Sequence, residues 1–189
     1  MLRAFNVPTD GALPSYVITP FDPDTHDRTA FSCGLDRIDN FLKLTAKKHQ
    51  QGDFSRVFVA CTGDSNAVVG YYALNAHALT GEGLPEALTK RGPRHGIPAA
   101  YLSMICVDQA HQGQGLGVLL LADALMRVLH VSDTLGLKAV ILDVVDDDGE
   151  DQFERRKAFY ARMGFQAFSN NDRRMFLTLK DIAAAFQQD

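Results

Sequence analysis

The sequence predicts an α/β (α+β) fold, a mixed sheet flanked by helices, in one domain spanning residues 1–189. Three observations predict it. With 189 residues, 46% of them hydrophobic and 22% charged, the chain is long enough for one core and too apolar for disorder. Short runs rich in β-branched and aromatic residues alternate with stretches whose apolar residues recur at helical spacing. A glycine-rich turn then joins the most apolar of these runs to the longest amphipathic stretch. No period of roughly 20–50 residues repeats and no low-complexity segment is long enough to be a linker, so a single domain is expected.

Each element follows from the residues in order. Ser15, Tyr16, Val17, Ile18 and Thr19 form a β-type run closed by Pro20 and the turn-rich Asp22-Pro23-Asp24. Leu35, Ile38, Phe41, Leu42, Leu44 and Ala46 fall close to a helical period, with Lys43, Lys47 and Lys48 among the polar positions, so a helix is expected over 35–48. Residues 56–61 and 67–74 read as antiparallel strands joined by a hairpin at 62–66. The segment 80–98, rich in Gly and Pro, reads as a long loop with one helical turn at 85–90. Residues 99–107 are apolar enough for a central strand buried on most of its surface, ended by Asp108. An amphipathic helix over 115–135 carries Leu116, Leu119, Leu120, Ala124, Leu125 and Val128, with Gly136 as its stop. Residues 139–145 are another buried strand. The acidic run 146–151 precedes a helix at 152–163, where negative charge suits the helix dipole, and Gly164 ends it. Two last strands, 165–168 and 175–179, flank a turn at 169–172. The resulting order is β-α-β-β-β-α-β-α-β-β.

Composition excludes several classes. The longest apolar stretch, 116–126, is broken by Asp123 and ended by Arg127, short of the roughly 20 residues a membrane span requires. The N-terminus has one Arg, a Pro at position 8 and no continuous apolar block, unlike a signal peptide, and a cytoplasmic location is expected. Cys33, Cys61 and Cys106 are odd in number and lack Cys-x-x-Cys spacing, so reduced thiols are expected, with no disulfide frame and no metal site. Nineteen Lys and Arg against 23 Asp and Glu give a net charge of −4, which taken whole speaks against a nucleic-acid partner.

The most informative stretch is Val107-Asp108-Gln109-Ala110-His111-Gln112-Gly113-Gln114-Gly115-Leu116-Gly117, between an apolar strand and a helix. Small residues let backbone N–H groups approach a phosphate, and the free amides of a helix N-terminus favour negative charge, so a pyrophosphate is the natural ligand. A Walker loop requires Lys and Ser/Thr after its last Gly, whereas Leu116 and Gly117 follow Gly115. A dinucleotide fingerprint requires Gly-x-Gly-x-x-Gly near the start of a βαβ unit, whereas these glycines are spaced by two and lie past mid-chain.

The stretch does match Gln/Arg-x-x-Gly-x-Gly/Ala, as Gln112-Gly113-Gln114-Gly115-Leu116-Gly117, and so resembles the acetyl-CoA pyrophosphate loop of the GNAT superfamily of N-acetyltransferases. The resemblance covers nearly the whole chain. It includes the element order, the apolar strand before the loop, and Arg156-Lys157-Ala158-Phe159-Tyr160-Ala161-Arg162-Met163-Gly164-Phe165. That segment is similar to the family's Ala-x-x-Phe-Tyr-x-x-x-Gly-Phe, with Arg156 in place of the usual Ala. The resemblance implies a GNAT-type domain with a mostly antiparallel sheet and acetyl-CoA as co-substrate, without a metal. In it, Gln112, Gly113, Gln114, Gly115, Leu116 and Gly117 hold the diphosphate, while Ile105, Cys106 and Val107 bond the pantetheine arm and acyl group.

Acetyl transfer to an amine requires a bound donor, a neutral amine, stabilisation of the oxyanion and a proton for the departing thiolate. A backbone N–H near Cys106 or Val107 is the candidate for polarising the thioester carbonyl. Tyr160 is the candidate catalytic acid: a phenol of pKa about 10 can protonate a thiolate, and positioned proton transfer contributes about 10²–10⁴ in rate. Its alternative is a core aromatic beside Phe159. His77, His95 and His111 are available as bases, but no spacing fixes one near Tyr160, so none is assigned. Asp108 and Asp143 read as acceptors at strand ends. Cys106 has no readable His partner, so direct attack by the amine is expected.

Phe31-Ser32-Cys33-Gly34-Leu35-Asp36-Arg37-Ile38-Asp39-Asn40-Phe41-Leu42 adds a second resemblance, to the Phe-x-Cys-Gly-x-x-x-Leu-Asp-x-Phe-Leu opening of acetyltransferase toxins, with Ile38 where Leu is usual. It implies an aminoacyl-tRNA acceptor acetylated on its α-amine, a ribbon-helix-helix antitoxin and a homodimer. Basic residues group accordingly: Lys43, Lys47, Lys48 and Arg56; Lys90, Arg91 and Arg94; and Arg155, Arg156, Lys157, Arg162, Arg173 and Arg174 near Tyr160. Lys90, Arg91 and Arg94 are the candidate substrate-binding residues. Two other readings remain open: an N-acetyltransferase for a small-molecule or protein amine, and a CoA-binding regulator without turnover.

Overall fold

The computed structural model describes residues 15–63, 65–81, 83–90, 92–93 and 96–187. Among them the strands form a seven-stranded sheet in the order β1-β2-β3-β4-β5-β7-β6. Pairing is antiparallel for β1 with β2, β2 with β3, β5 with β7 and β6 with β7, and parallel for β4 with β5. The strands are β1 (Tyr16–Pro20), β2 (Arg56–Thr62), β3 (Val68–Leu79), β4 (Ile97–Val107), β5 (Ala139–Asp143), β6 (Gln166–Phe168) and β7 (Asn171–Thr178). The chain divides into two compact units, an N-terminal one of Leu2–Asn75 with Ser103–Ala124, and a C-terminal one of Ala76–Leu102 with Leu125–Asp189.

In the N-terminal unit, neighbouring tyrosines on β3 point to opposite faces, as strand geometry requires. Tyr71, fully buried, donates its hydroxyl to the Ile38 carbonyl at 2.7 Å and sits against the rings of Phe31 and Phe41. Tyr72 stacks on Phe58 and donates to Asp123 of α4 (Leu116–Ser132). The expected helix over 35–48 is α1 (Asp36–Asn40), a wide π turn (Phe41–Thr45) and α2 (Ala46–Gln51). Ile38, Leu42 and Ala46 are all buried and four residues apart, a spacing that shares one face of an ordinary helix and of the i→i+5 turn alike. Leu44 falls outside that stripe and is exposed. Gly70 permits the approach of α4: a Cβ there would lie 3.0 Å from Leu120, 3.2 Å from Leu116 and 3.3 Å from the Cys106 carbonyl oxygen.

In the C-terminal unit, Leu79, Leu88, Ile97, Ala99, Ile141, Phe168 and Phe176 form a core, with Phe168 and Phe176 edge to face. Leu88 explains the helical turn expected at 85–90, which is α3 (Glu86–Thr89): the turn buries that one side chain. The helix expected at 152–163 is α5 (Glu150–Arg162), so the end of the acidic run supplies its first turn, where the dipole favours Glu150 and Asp151. α4 ends at Ser132, before Gly136, with the Ser132 hydroxyl donating to the Leu129 carbonyl. A further helix, α6 (Leu179–Gln187), was not read from the sequence. Thr178 starts it: its Oγ1 accepts the Asp181 N–H at 3.2 Å and donates to the Asp181 carboxylate at 2.6 Å, a reciprocal N-cap.

Candidate active site

In the N-terminal unit, β4 delivers Ile105, Cys106 and Val107 to a turn and then to the start of α4. The register of β4 with β5 covers Ala99↔Ala139 to Tyr101↔Ile141, and among the described residues it does not continue past Tyr101. Asp108 starts a 3-10 turn (Gln109–His111), its carboxylate accepting the Ala110 N–H at 3.0 Å. Gly113 and Gly115 have φ of +74° and +83°, the left-handed region that L side chains enter at a cost. Those two turns lead into α4, whose first amides, Leu116 and Gly117, have no carbonyl of their own helix to bond. A Cβ at Gly113 would meet nothing within 4 Å, and one at Gly117 only Val107 at 3.9 Å, so the loop presents bare backbone rather than side chains. These are the features that suit a diphosphate: amide donors, a helix N-terminus and no steric cover.

Two distant segments fix the turn, one through its backbone and one through a side chain. The Ser32 N–H donates to Asp108 Oδ2 at 2.9 Å and the Gln109 N–H to the Ser32 carbonyl at 2.8 Å. Gln112 Nε2 donates to the Cys33 carbonyl at 3.3 Å and to the Val107 carbonyl at 3.1 Å, so this motif residue braces the loop. The Tyr16 hydroxyl of β1 donates to Gln114 Oε1 at 3.1 Å and lies 3.3 Å from His111 Nδ1. The sequence places Tyr16 in a strand and Asp39 in a motif without a site role for either; Asp108 is the strand-end acceptor that the sequence predicts. The Cys106 thiol lies beside Cys33 and Tyr71; burial first, then Cys33 and Asp39, push its pKa well above the usual thiol value, and the Tyr71 hydroxyl opposes them only in part. A neutral thiol so placed is no nucleophile.

In the C-terminal unit, Tyr160 sits in the last turn of α5, and the residues after it explain its setting. Gly164 has φ of +90°, its N–H donates to the Ala161 carbonyl at 3.0 Å, and the Phe165 N–H donates to the Tyr160 carbonyl at 3.0 Å. This is the paired helix-ending motif that glycine makes possible, and its customary apolar contact is the buried Phe165 ring, 5.8 Å from that of Tyr160. The Gly-Phe of the motif thus orients the Tyr.

The start of α5 is tied by charge. Arg156 pairs through both terminal nitrogens with Asp148 and donates to the Val145 carbonyl at 3.1 Å. Arg174 grips Asp143 at 2.8 and 2.7 Å, and the Tyr101 hydroxyl donates to the same carboxylate at 2.9 Å. The arginine bonds hold the Asp143 and Asp148 carboxyls below their usual range. Arg173 pairs with Asp146, and Lys157 with Glu154 and Asp172. Four of the six basic residues expected to mark a face near Tyr160 are therefore neutralised by ion pairs. His77 lies beside the Tyr101 ring, 5.6 Å between centroids. Lys90 is exposed and lines a cavity of about 240 Å³ with Leu88, Gly92, Pro93, Pro98 and Lys138. Arg91, Arg94 and His95 lie outside the described residues.

A sheet of this order with a backbone-lined glycine turn between β4 and α4 is the frame of an acyltransferase that takes its acyl group from a CoA thioester. The acetyltransferase (GNAT) domain family matches residues 53–167, and the chain belongs to that family. It is an N-acetyltransferase with acetyl-CoA as donor. A probable toxin TacT from Sinorhizobium fredii (strain NBRC 101917 / NGR234) is 43% identical over 167 residues, 88% of this chain and 92% of its own. A tRNA-acetylating toxin from Mycobacterium tuberculosis (strain ATCC 25618 / H37Rv) is 33% identical over 162 residues, 85% of this chain and 91% of its own. A solved bacterial toxin superposes with a TM-score of 0.82 at 26% identity, covering 94% of this chain and 98% of that one.

Proposed function

We propose that the protein is a toxin that transfers the acetyl group of acetyl-CoA to the α-amine of aminoacyl-tRNA and so blocks translation. The observation that carries this reading is the union of its two signatures. The Phe31–Gly34 stretch that resembles the toxins is hydrogen-bonded to the Asp108–Gln112 turn of the acetyl-CoA loop, so the two motifs form one physical element. Likeness to a tRNA-acetylating toxin over most of both chains supports the same acceptor.

Bound acetyl-CoA supplies an acetyl thioester. The amides from Gln112 to Gly117 hold its diphosphate, and a backbone N–H at Cys106 or Val107 polarises the thioester carbonyl. Tyr160 donates the proton that the departing thiolate takes up, and the proton released by the nitrogen as the amide forms restores the phenol. The neutral Cys106 thiol stays out of the chemistry, and the substrate amine attacks directly. Lys90, with Arg91 and Arg94, meets the acceptor's phosphates. The chain works as a single catalytic domain in a cytoplasmic homodimer, restrained by a ribbon-helix-helix antitoxin. Cell-free translation tests the reading: protein plus acetyl-CoA should stop synthesis, while protein alone, or the Tyr160→Phe variant with acetyl-CoA, should leave it running. Arrest without acetyl-CoA would contradict it.

A further inference from the structure

Asp39 is nine-tenths buried on α1, and among the described residues no lysine or arginine is one of its hydrogen-bond partners. Its carboxylate accepts the Cys33 N–H at 2.8 Å on one oxygen and the Ser32 hydroxyl at 3.0 Å on the other. The same two residues then reach across to the acetyl-CoA turn. The Ser32 N–H bonds Asp108, the Ser32 carbonyl takes the Gln109 N–H, and the Cys33 carbonyl takes Gln112 Nε2. Gly34 completes the seat, since a Cβ there would lie 2.9 Å from Gln109 Nε2. A single carboxylate thus holds the strap from behind, at the Cys33 N–H and the Ser32 hydroxyl. A buried carboxylate costs free energy unless its acceptors are used, so its two bonds to the strap are what its burial is for.

We infer that Asp39 is a positioning residue for the cofactor loop: through the strap Ser32–Gly34 it sets the Asp108–Gln112 turn, and with it the amides that receive the diphosphate of acetyl-CoA. This rests on the assignment of residues 112–117 to the diphosphate. Among the described residues the hydrogen bonds of Asp39 go to the strap, so its removal should act on binding of the donor and leave the chemical step alone.

Calorimetric titration of CoA into the purified full-length protein tests this, with kcat at saturating acetyl-CoA as the second reading. Losing both bonds in Asp39→Ala should weaken CoA binding about tenfold. In that variant kcat should stay within about twofold. Asp39→Asn keeps one acceptor for the Cys33 N–H and an amide toward the Ser32 hydroxyl, and should bind within about threefold of wild type. Unchanged binding in Asp39→Ala, or an equal loss in Asp39→Asn, overturns the inference, as does a fall in kcat with binding intact. Should Asp39→Ala fail to fold, Ser32→Ala decides: weaker CoA binding supports the strap and unchanged binding overturns it. Gly115→Ala serves as the reference for the loop itself. If it binds CoA normally, the assignment of the loop fails; if it binds weakly while Asp39→Ala does not, only the role of Asp39 fails.

Discussion

The cofactor turn and the end of α5 are both held rigid, but by different forces. Around the turn, the braces are hydrogen bonds from Tyr16, Ser32, Gln112 and Asp108, with left-handed backbone at Gly113 and Gly115 that glycine adopts without strain. Around α5, the braces are ion pairs from Arg156, Arg173 and Arg174 and a ring contact behind Gly164. The difference suits the two tasks. In the proposed mechanism the loop offers its own amides to a diphosphate, which braces made from hydrogen bonds leave uncovered, whereas Tyr160 requires a fixed position to give up a proton. The two regions should therefore fail in different ways.

The largest expected effect is at Tyr160. Tyr160→Phe should cut the transfer rate by about 10²–10⁴ with CoA binding unchanged, read as kcat against a titrated Kd. Loss of binding instead would make Tyr160 part of the packing. At the turn the split should reverse: Gly115→Ala forces a side chain into the left-handed region at about 1–2 kcal/mol and should raise KM for acetyl-CoA about tenfold, with kcat nearly kept. Gly70→Ala crowds Leu116, Leu120 and the Cys106 carbonyl and should lower stability by about 1–3 kcal/mol in chemical denaturation.

The smallest effect separates the two regions by pH. Asp143 and Asp148 titrate below the ordinary carboxyl value of 3.8, so they stabilise the fold above that pH and lose this contribution as pH falls through their lower folded-state values. The melting-temperature gap between wild type and Asp143→Asn should be constant near neutrality and close under acid. A gap that widens under acid would contradict the ion pair.

Much of this was legible in the sequence, for local reasons. Gln112-Gly113-Gln114-Gly115 and Tyr160-Ala161-Arg162-Met163-Gly164-Phe165 carry their geometry within a few residues, because left-handed glycines and helix caps are local devices. The π turn was hidden because a four-residue spacing of Ile38, Leu42 and Ala46 looks helical at either pitch. α6 was hidden behind an apolar run that reads as strand, although Thr178 and Asp181 carry its capping signal. The strap from Ser32 to Asp108 spans 76 residues of sequence and leaves no periodic trace. Net charge misled in both directions: the total of −4 conceals clusters, and the cluster around α5 is spent on Asp143, Asp146 and Asp148 rather than offered to RNA.

That last point makes the acceptor the claim to test. Purified protein should be incubated with labelled acetyl-CoA and charged tRNA, uncharged tRNA or a panel of small amines. Label is expected on charged tRNA alone and should leave with the amino acid when the ester is hydrolysed. Label that appears only on small amines, or that stays with the RNA after hydrolysis, would contradict the account.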